Sequence, residues 1–179
     1  MASPYAVRQA TPDDIDELLR LRRLMMALLE SPGAGAPQAV DDPVHQPEGG
    51  GADWEPAARA FLVAGFAAGT AAAFVARSEA DGSVVGGGVG NVLQRLASPW
   101  NPTGRYGHIA SMVTDPAWQR QGIGGVVVDR LLAWFTAQGI IRVELTATVH
   151  GEPIYRSRGF APRSDLAMRW VRPRDMTCA

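Results

Sequence analysis

At 179 residues, 46% hydrophobic and 20% charged, the chain has the length and composition of one globular domain, spanning residues 1–179, and not those of a disordered segment. Its net charge of −1 argues against a general attraction to nucleic acid or to an anionic membrane, and its one cysteine, Cys178, cannot build a disulfide framework or a cysteine metal site. With no signal-peptide core and no long apolar stretch, a cytoplasmic protein is expected. All 17 basic residues are arginine, which fits a GC-rich coding bias beside so much alanine, glycine and proline.

Tyr5-Ala6-Val7-Arg8-Gln9 reads as a short strand. Thr11-Pro12-Asp13-Asp14 then starts a helix: threonine caps, proline suits the first helical position, and the acids favour the positive end of the dipole. Ile15, Leu18, Leu19, Met25, Leu28 and Leu29 fall near helical spacing as far as Glu30. Residues 31–52 change character, being rich in Pro and Gly and carrying Asp41, Asp42 and Glu48 without an arginine. They predict a mobile loop, either simply solvated or an acidic lid that draws a cationic acceptor.

A second helix starts at Asp53-Trp54-Glu55-Pro56 and carries Phe61, Val63 and Phe66. Residues 70–77 and 84–93 predict two strands joined at Asp81-Gly82, a hairpin turn pair. The glycines at 86, 87, 88 and 90 superficially suggest a dinucleotide fingerprint, but the third glycine position is Asn91 and no helix follows. They are better read as a bulge or close backbone packing. A strand over 105–114, a glycine-punctuated loop, a helix over 123–138 stopped by Gly139, a strand over 140–147, a short helix over 152–158 and a last strand over 167–171 complete the order. That order predicts a mixed α/β sheet with helices on both faces.

The loop Gln119-Arg120-Gln121-Gly122-Ile123-Gly124-Gly125 opens directly into an apolar helix. A helix N-terminus offers unpaired N–H groups and partial positive charge, so this stretch is an anion site suited to a pyrophosphate. With Asp115-Pro116 before it and Tyr155-Arg156-Ser157-Arg158-Gly159-Phe160 after it, the chain resembles the GCN5-related N-acetyltransferases (GNAT), whose motifs are Q/R-x-x-G-x-G/A and Y-x-x-x-G-F. The resemblance is sharp over about residues 105–161 and loose before them. It implies a mostly antiparallel sheet of six to seven strands, splayed between the strands at 105–114 and 140–147.

The resemblance also implies acetyl-CoA as donor. Backbone groups of Met112, Val113 and Thr114 would meet its pantetheine arm, at a splay beginning near residues 146–148. The N–H groups of Gln119, Arg120, Gln121, Gly122, Ile123, Gly124 and Gly125 would hold its pyrophosphate, with Arg120 adding charge. Thr148 and Gly151 stand where the family often has asparagine and alanine; a hydroxyl at Thr148 can serve, and Gly151 allows close approach. Tyr155 matches the tyrosine that protonates the departing thiolate, with the N–H of Val113 as oxyanion donor.

For the base, His108 takes the strand position where some members carry glutamate, with an ordinary pKa of about 6.5. Many members have an acid at the position of Ala110, and alternation would put His108, Ala110, Met112 and Thr114 on one face. Glu144 is a weaker candidate, His150 a loop residue beside the channel, and proton loss through water an alternative. Three scattered histidines have no metal-ligand spacing, so no metal is expected. The expected activity is acetyl transfer to a primary amine of a small molecule. A catalytically idle acyl-CoA-binding module and a protein N-terminal or lysine acetyltransferase are the alternatives, and a homodimer is left open because many relatives dimerise.

Overall fold

The structure is a computed structural model that describes residues 3–30, 53–163 and 168. The expected loop at 31–52 and, apart from Met168, the expected last strand at 167–171 therefore lie outside the described residues.

Five described strands form one sheet in the order β1 (Tyr5–Gln9), β2 (Ala71–Ser78), β3 (Val84–Gln94), β4 (Arg105–Thr114), β5 (Val143–Glu144). The first four are antiparallel neighbours and β5 runs parallel to β4. Helices α1 (Ile15–Glu30) and α2 (Glu55–Ala68) cover one face, and α3 (Ile123–Ala137) with the short α4 (Glu152–Arg156) covers the other. The interior strand β2 shows why both faces need a cover. Ala73 and Val75 join the core under α1 and α2, while Ala72, Phe74 and Ala76 join the core under α3.

Residues 12–14 form a single 3-10 turn before α1, with Pro12 at its start and a capping box between Thr11 and Asp14. The Asp14 carboxylate also receives both ends of the Arg8 guanidinium at 2.7 Å, tying β1 to that turn. On α2 the buried stripe is Leu62 and Gly65, with Ala58 and Phe66 beside it; Phe61 and Val63 are half exposed.

The glycines of β3 are packing sockets. A Cβ on Gly90 would lie 2.9 Å from the Phe135 ring and 3.0 Å from Leu131, and Gly107 on the neighbouring β4 seats the same ring. The predicted strand over 140–147 shrinks to Val143 and Glu144. Its apolar alternation still has a physical cause, because Ile140 and Leu145 pack under α3 without joining the ladder.

Candidate active site

The sheet opens where β5 ends. β4 pairs with β5 only at Gly107 with Val143 and His108 with Glu144, so from Ile109 to Thr114 that edge of β4 has no strand partner among the described residues. The splay thus begins after Glu144, earlier than the 146–148 expected from sequence.

The same stretch of β4 carries a bulge. Its register against β3 slips between Gly87 and Val89, and Ser111 takes a left-handed φ of 54°. The bulge interrupts the strand's alternation, which corrects the face assignment made from sequence. Ile109 and Met112 share the α3 side, and Val113 turns to the α1 side. His108, between the α3-facing Gly107 and Ile109, faces α1 and α2.

Beyond Thr114 the chain makes a 3-10 turn (Pro116–Trp118), whose first amide is held by the Asp115 carboxylate, and then the loop. Arg120 and Gly122 both have left-handed backbone, φ 64° and 85°. Gly122 caps α3 with no side-chain hydrogen bond, so the first amides of a 15-residue helix have no cap. Two successive turns of this kind with uncapped amides make an anion cradle. The Tyr5 hydroxyl, donating to the Gln121 carbonyl at 3.2 Å, and the Gln119 amide, donating to the Thr114 carbonyl at 3.3 Å, hold the loop against the sheet.

Gly125 has a second use that sequence reading missed. The Arg158 guanidinium lies against it, with Cζ 3.0 Å from where a Cβ would be. Arg158 Nε donates to the Gly125 carbonyl at 3.1 Å and to Asp129 at 2.7 Å, and Nη1 donates to the Ile154 carbonyl at 3.1 Å. One side chain thereby bolts α4 onto the first turn of α3. The pair Asp129 and Arg158 carried no sequence signal, since they are 29 residues apart.

Tyr155 leaves α4 toward the core under α3 and meets Phe160 edge-on at 5.8 Å between centroids. Burial alone raises its pKa above the ordinary 10, so the phenol keeps its proton throughout the neutral range. Its hydroxyl has no hydrogen-bond partner among the described residues. Thr148 turns inward, its hydroxyl accepting from the Gly151 N–H at 3.0 Å and its carbonyl from Gly151 and Glu152, so it shapes the entry to α4. Gly151 packs against Tyr155: a Cβ there would lie 3.4 Å from the ring.

On the other face, His108 Nδ1 makes a long 3.4 Å contact with the amide oxygen of Asn91, its cross-strand partner. In the tautomer that donates from Nδ1 to that oxygen, the Nε2 lone pair of the neutral ring is available. Burial lowers the His108 pKa; Glu144 opposes the shift and Arg95 adds to it. Asn91 was met in the sequence only as the missing glycine of a rejected motif. Glu144 receives Arg95 at 2.7 and 3.1 Å and Arg163 at 2.9 Å, so its carboxylate is committed to two guanidinium groups.

The structure therefore brings Met112, Val113, Thr114 and residues 119–125 into one continuous rim, with Tyr155 on its α3 side and His108 on its α1 side. Two surface cavities of about 740 and 590 Å³ are lined by none of these residues. Among the described residues no cluster of His, Cys, Asp or Glu could hold a metal, and no helix is long and apolar enough to cross a membrane.

Residues 41–160 match the acetyltransferase (GNAT) family. No curated protein matches the chain. Among solved structures, a predicted acetyltransferase of Clostridium acetobutylicum with acetyl-CoA superposes with TM-score 0.72 at 21% identity, over 92% of this chain and 95% of that one. A GCN5-related N-acetyltransferase of Ralstonia eutropha gives 0.71 at 23%, over 93% and 98%. An aminoglycoside acetyltransferase from an uncultured soil metagenomic sample, in complex with sisomicin, gives 0.66 at 18%, over 95% and 97%. The open β4 edge, the uncapped loop and a family match over 120 residues agree: the chain belongs to the acetyltransferase (GNAT) family and is an acetyl-CoA-dependent acetyltransferase.

Proposed function

We propose that the chain transfers acetyl to a primary amine of a small molecule by direct attack, with donor and acceptor bound together. The observation that carries this reading is the edge of β4 that has no strand partner among the described residues from Ile109 onward, running straight into uncapped α3 amides and flanked by two titratable groups in opposite roles. The residues fit the donor. The amides of 119–125 would take the pyrophosphate and the backbone of Met112, Val113 and Thr114 the pantetheine amides. Bound there, acetyl-CoA supplies an activated thioester and a thiolate leaving group.

The chain's own groups divide the proton work. His108, neutral at pH 7 because burial disfavours its charged form, accepts the amine's proton at Nε2. Tyr155, a half-buried ring, holds a proton on a hydroxyl without a partner among the described residues and delivers it to sulfur. The Val113 N–H is the oxyanion donor. Glu144 carries its two arginines and takes no part as a base. A small acceptor is supported by the likeness to the aminoglycoside enzyme, whose fold this chain shares.

The test is thiol release from acetyl-CoA across a panel of small amines, a peptide N-terminus and a lysine peptide. Release with small amines above either peptide is expected. Tight cofactor binding with no release for any amine would leave an idle binding module, and preference for a peptide would make the chain a protein acetyltransferase.

A further inference from the structure

Helix α1 and its neighbour α2 carry four arginines, and three of them have carboxylate partners. Arg20 pairs with Glu17, Arg23 with Glu55, and Arg59 with Asp16. Arg22 is different. It is half-buried, and among the described residues no carboxylate meets it. One Nη donates to the Ser111 hydroxyl at 2.6 Å, and the guanidinium carbon lies 5.6 Å from the centroid of the Trp54 ring. The other N–H groups of that five-donor fork have no acceptor among the described residues.

Its position gives this cation a use. Ser111 is the left-handed residue of the β4 bulge and directly precedes Met112 and Val113, the backbone assigned to the pantetheine arm. Arg22 thus stands against the strand on its α1 side, the side that His108 also faces, with one Nη anchored on Ser111 and an indole beside its guanidinium. A cation oriented in that way and left without an internal anion is a ready receptor for an external one. A purely structural brace for the bulge would need only the Ser111 hydrogen bond, which a neutral donor could supply.

We propose that the acceptor amine carries an anionic group, a carboxylate or a phosphate, and that Arg22 is the residue that binds it. The amine then points toward His108 while the anion meets the N–H groups of Arg22 that Ser111 does not occupy. This assignment rests on the transfer reading above and narrows its substrate class.

The test uses the full chain, acetyl-CoA and two matched pairs of acceptors: 4-aminobutyrate against butylamine, and 2-aminoethyl phosphate against ethanolamine. A charge-assisted contact predicts kcat/KM higher for the anionic member of one pair by roughly ten- to a hundredfold, expressed mainly in KM. Whichever pair shows it identifies the anion. Arg22→Gln, which keeps a donor for Ser111, should bring that ratio to about one, and Arg22→Lys should restore part of it.

The ratio does not depend on how much of a variant folds, and a merely structural role would lower both members alike. Equal rates within both pairs in the unmodified protein, or a ratio untouched by Arg22→Gln, overturn the assignment and leave amine acetylation standing. Thiol release with no amine at all overturns the transfer reading and this assignment together.

Discussion

Gly90→Ala is the sharpest test of what the β3 glycines are for. The new Cβ would lie 2.9 and 3.2 Å from two Phe135 ring carbons and 3.0 Å from a Leu131 methyl, where unstrained carbon contacts need about 3.5–4.0 Å. Phe135 and Leu131 are 1% and 0% exposed, and the same ring also rests on Gly107, where a Cβ would be 2.8 Å away. The ring therefore has to move by about half an ångström or more into a filled core, and overpacking of this kind costs about 1–3 kcal/mol. Alanine returns some of that by restricting the unfolded chain, by about 0.4–1 kcal/mol, since Gly90 has no left-handed φ to lose.

The net expectation is a loss of about 1–2 kcal/mol, read as a lower urea midpoint at constant slope and a fall in Tm of about 2–8 °C. Phe135→Leu in the same chain opens the socket, so the double variant should be more stable than additivity predicts by about 1 kcal/mol. Strict additivity, or a Gly90→Ala protein as stable as the parent but weaker for coenzyme A, would mean that the glycines serve a ligand and that the packing account is wrong.

Tyr155→Phe should lower turnover by about 10²-fold or more with little change in coenzyme A affinity, because it removes a proton donor and keeps the ring that packs on Phe160; an unchanged rate removes Tyr155 from the mechanism. His108 has a folded pKa below its ordinary value, so its base form persists to lower pH and kcat/KM should fall only below about pH 6.5. His108→Ala should abolish that acidic limb, and a limb that survives assigns the base elsewhere. Asp14, held by Arg8 and the Thr11 amide, has its pKa lowered to about 2. Its stabilisation is fully present above about pH 4 and is lost as pH falls toward 2, so Asp14→Asn should cost about 1–2 kcal/mol at pH 7 and almost nothing at pH 2, by urea denaturation at both pH values.

What could be read from the sequence was local. The start of α1 follows from Thr11, Pro12 and Asp14, the β2–β3 hairpin from Asp81-Gly82, and the anion loop from glycines at the mouth of an apolar helix, because each is written within a few neighbouring residues. Features created by register were not legible. The Ser111 bulge reverses the faces of Met112 and Val113 relative to Ile109, and no residue type near it announces the extra residue. Asn91 meets His108 only because the pairing of β3 with β4 puts them opposite. Arg22 with Ser111, and Arg158 with Asp129, are contacts across 89 and 29 residues, beyond the reach of any local pattern. The overlong β5 has a related cause: burial under α3 imposes the same apolar spacing as a ladder does, and only geometry separates the two.

The two-rung ladder between β4 and β5 has a mechanical consequence. Among the described residues, those beyond Glu144 on that side are held to the sheet mainly by side chains packed under α3 and by the Arg158 bolt, while β1 through β4 form a continuous hydrogen-bonded fabric. The seam of the molecule and its cleft are thus the same place. A ligand lying along that edge stitches it, taking up backbone groups that a longer β5 would have used. Its binding energy then acts on the weakest line of the fold, where amide protons should exchange fastest in the empty protein and slow most when the donor is present.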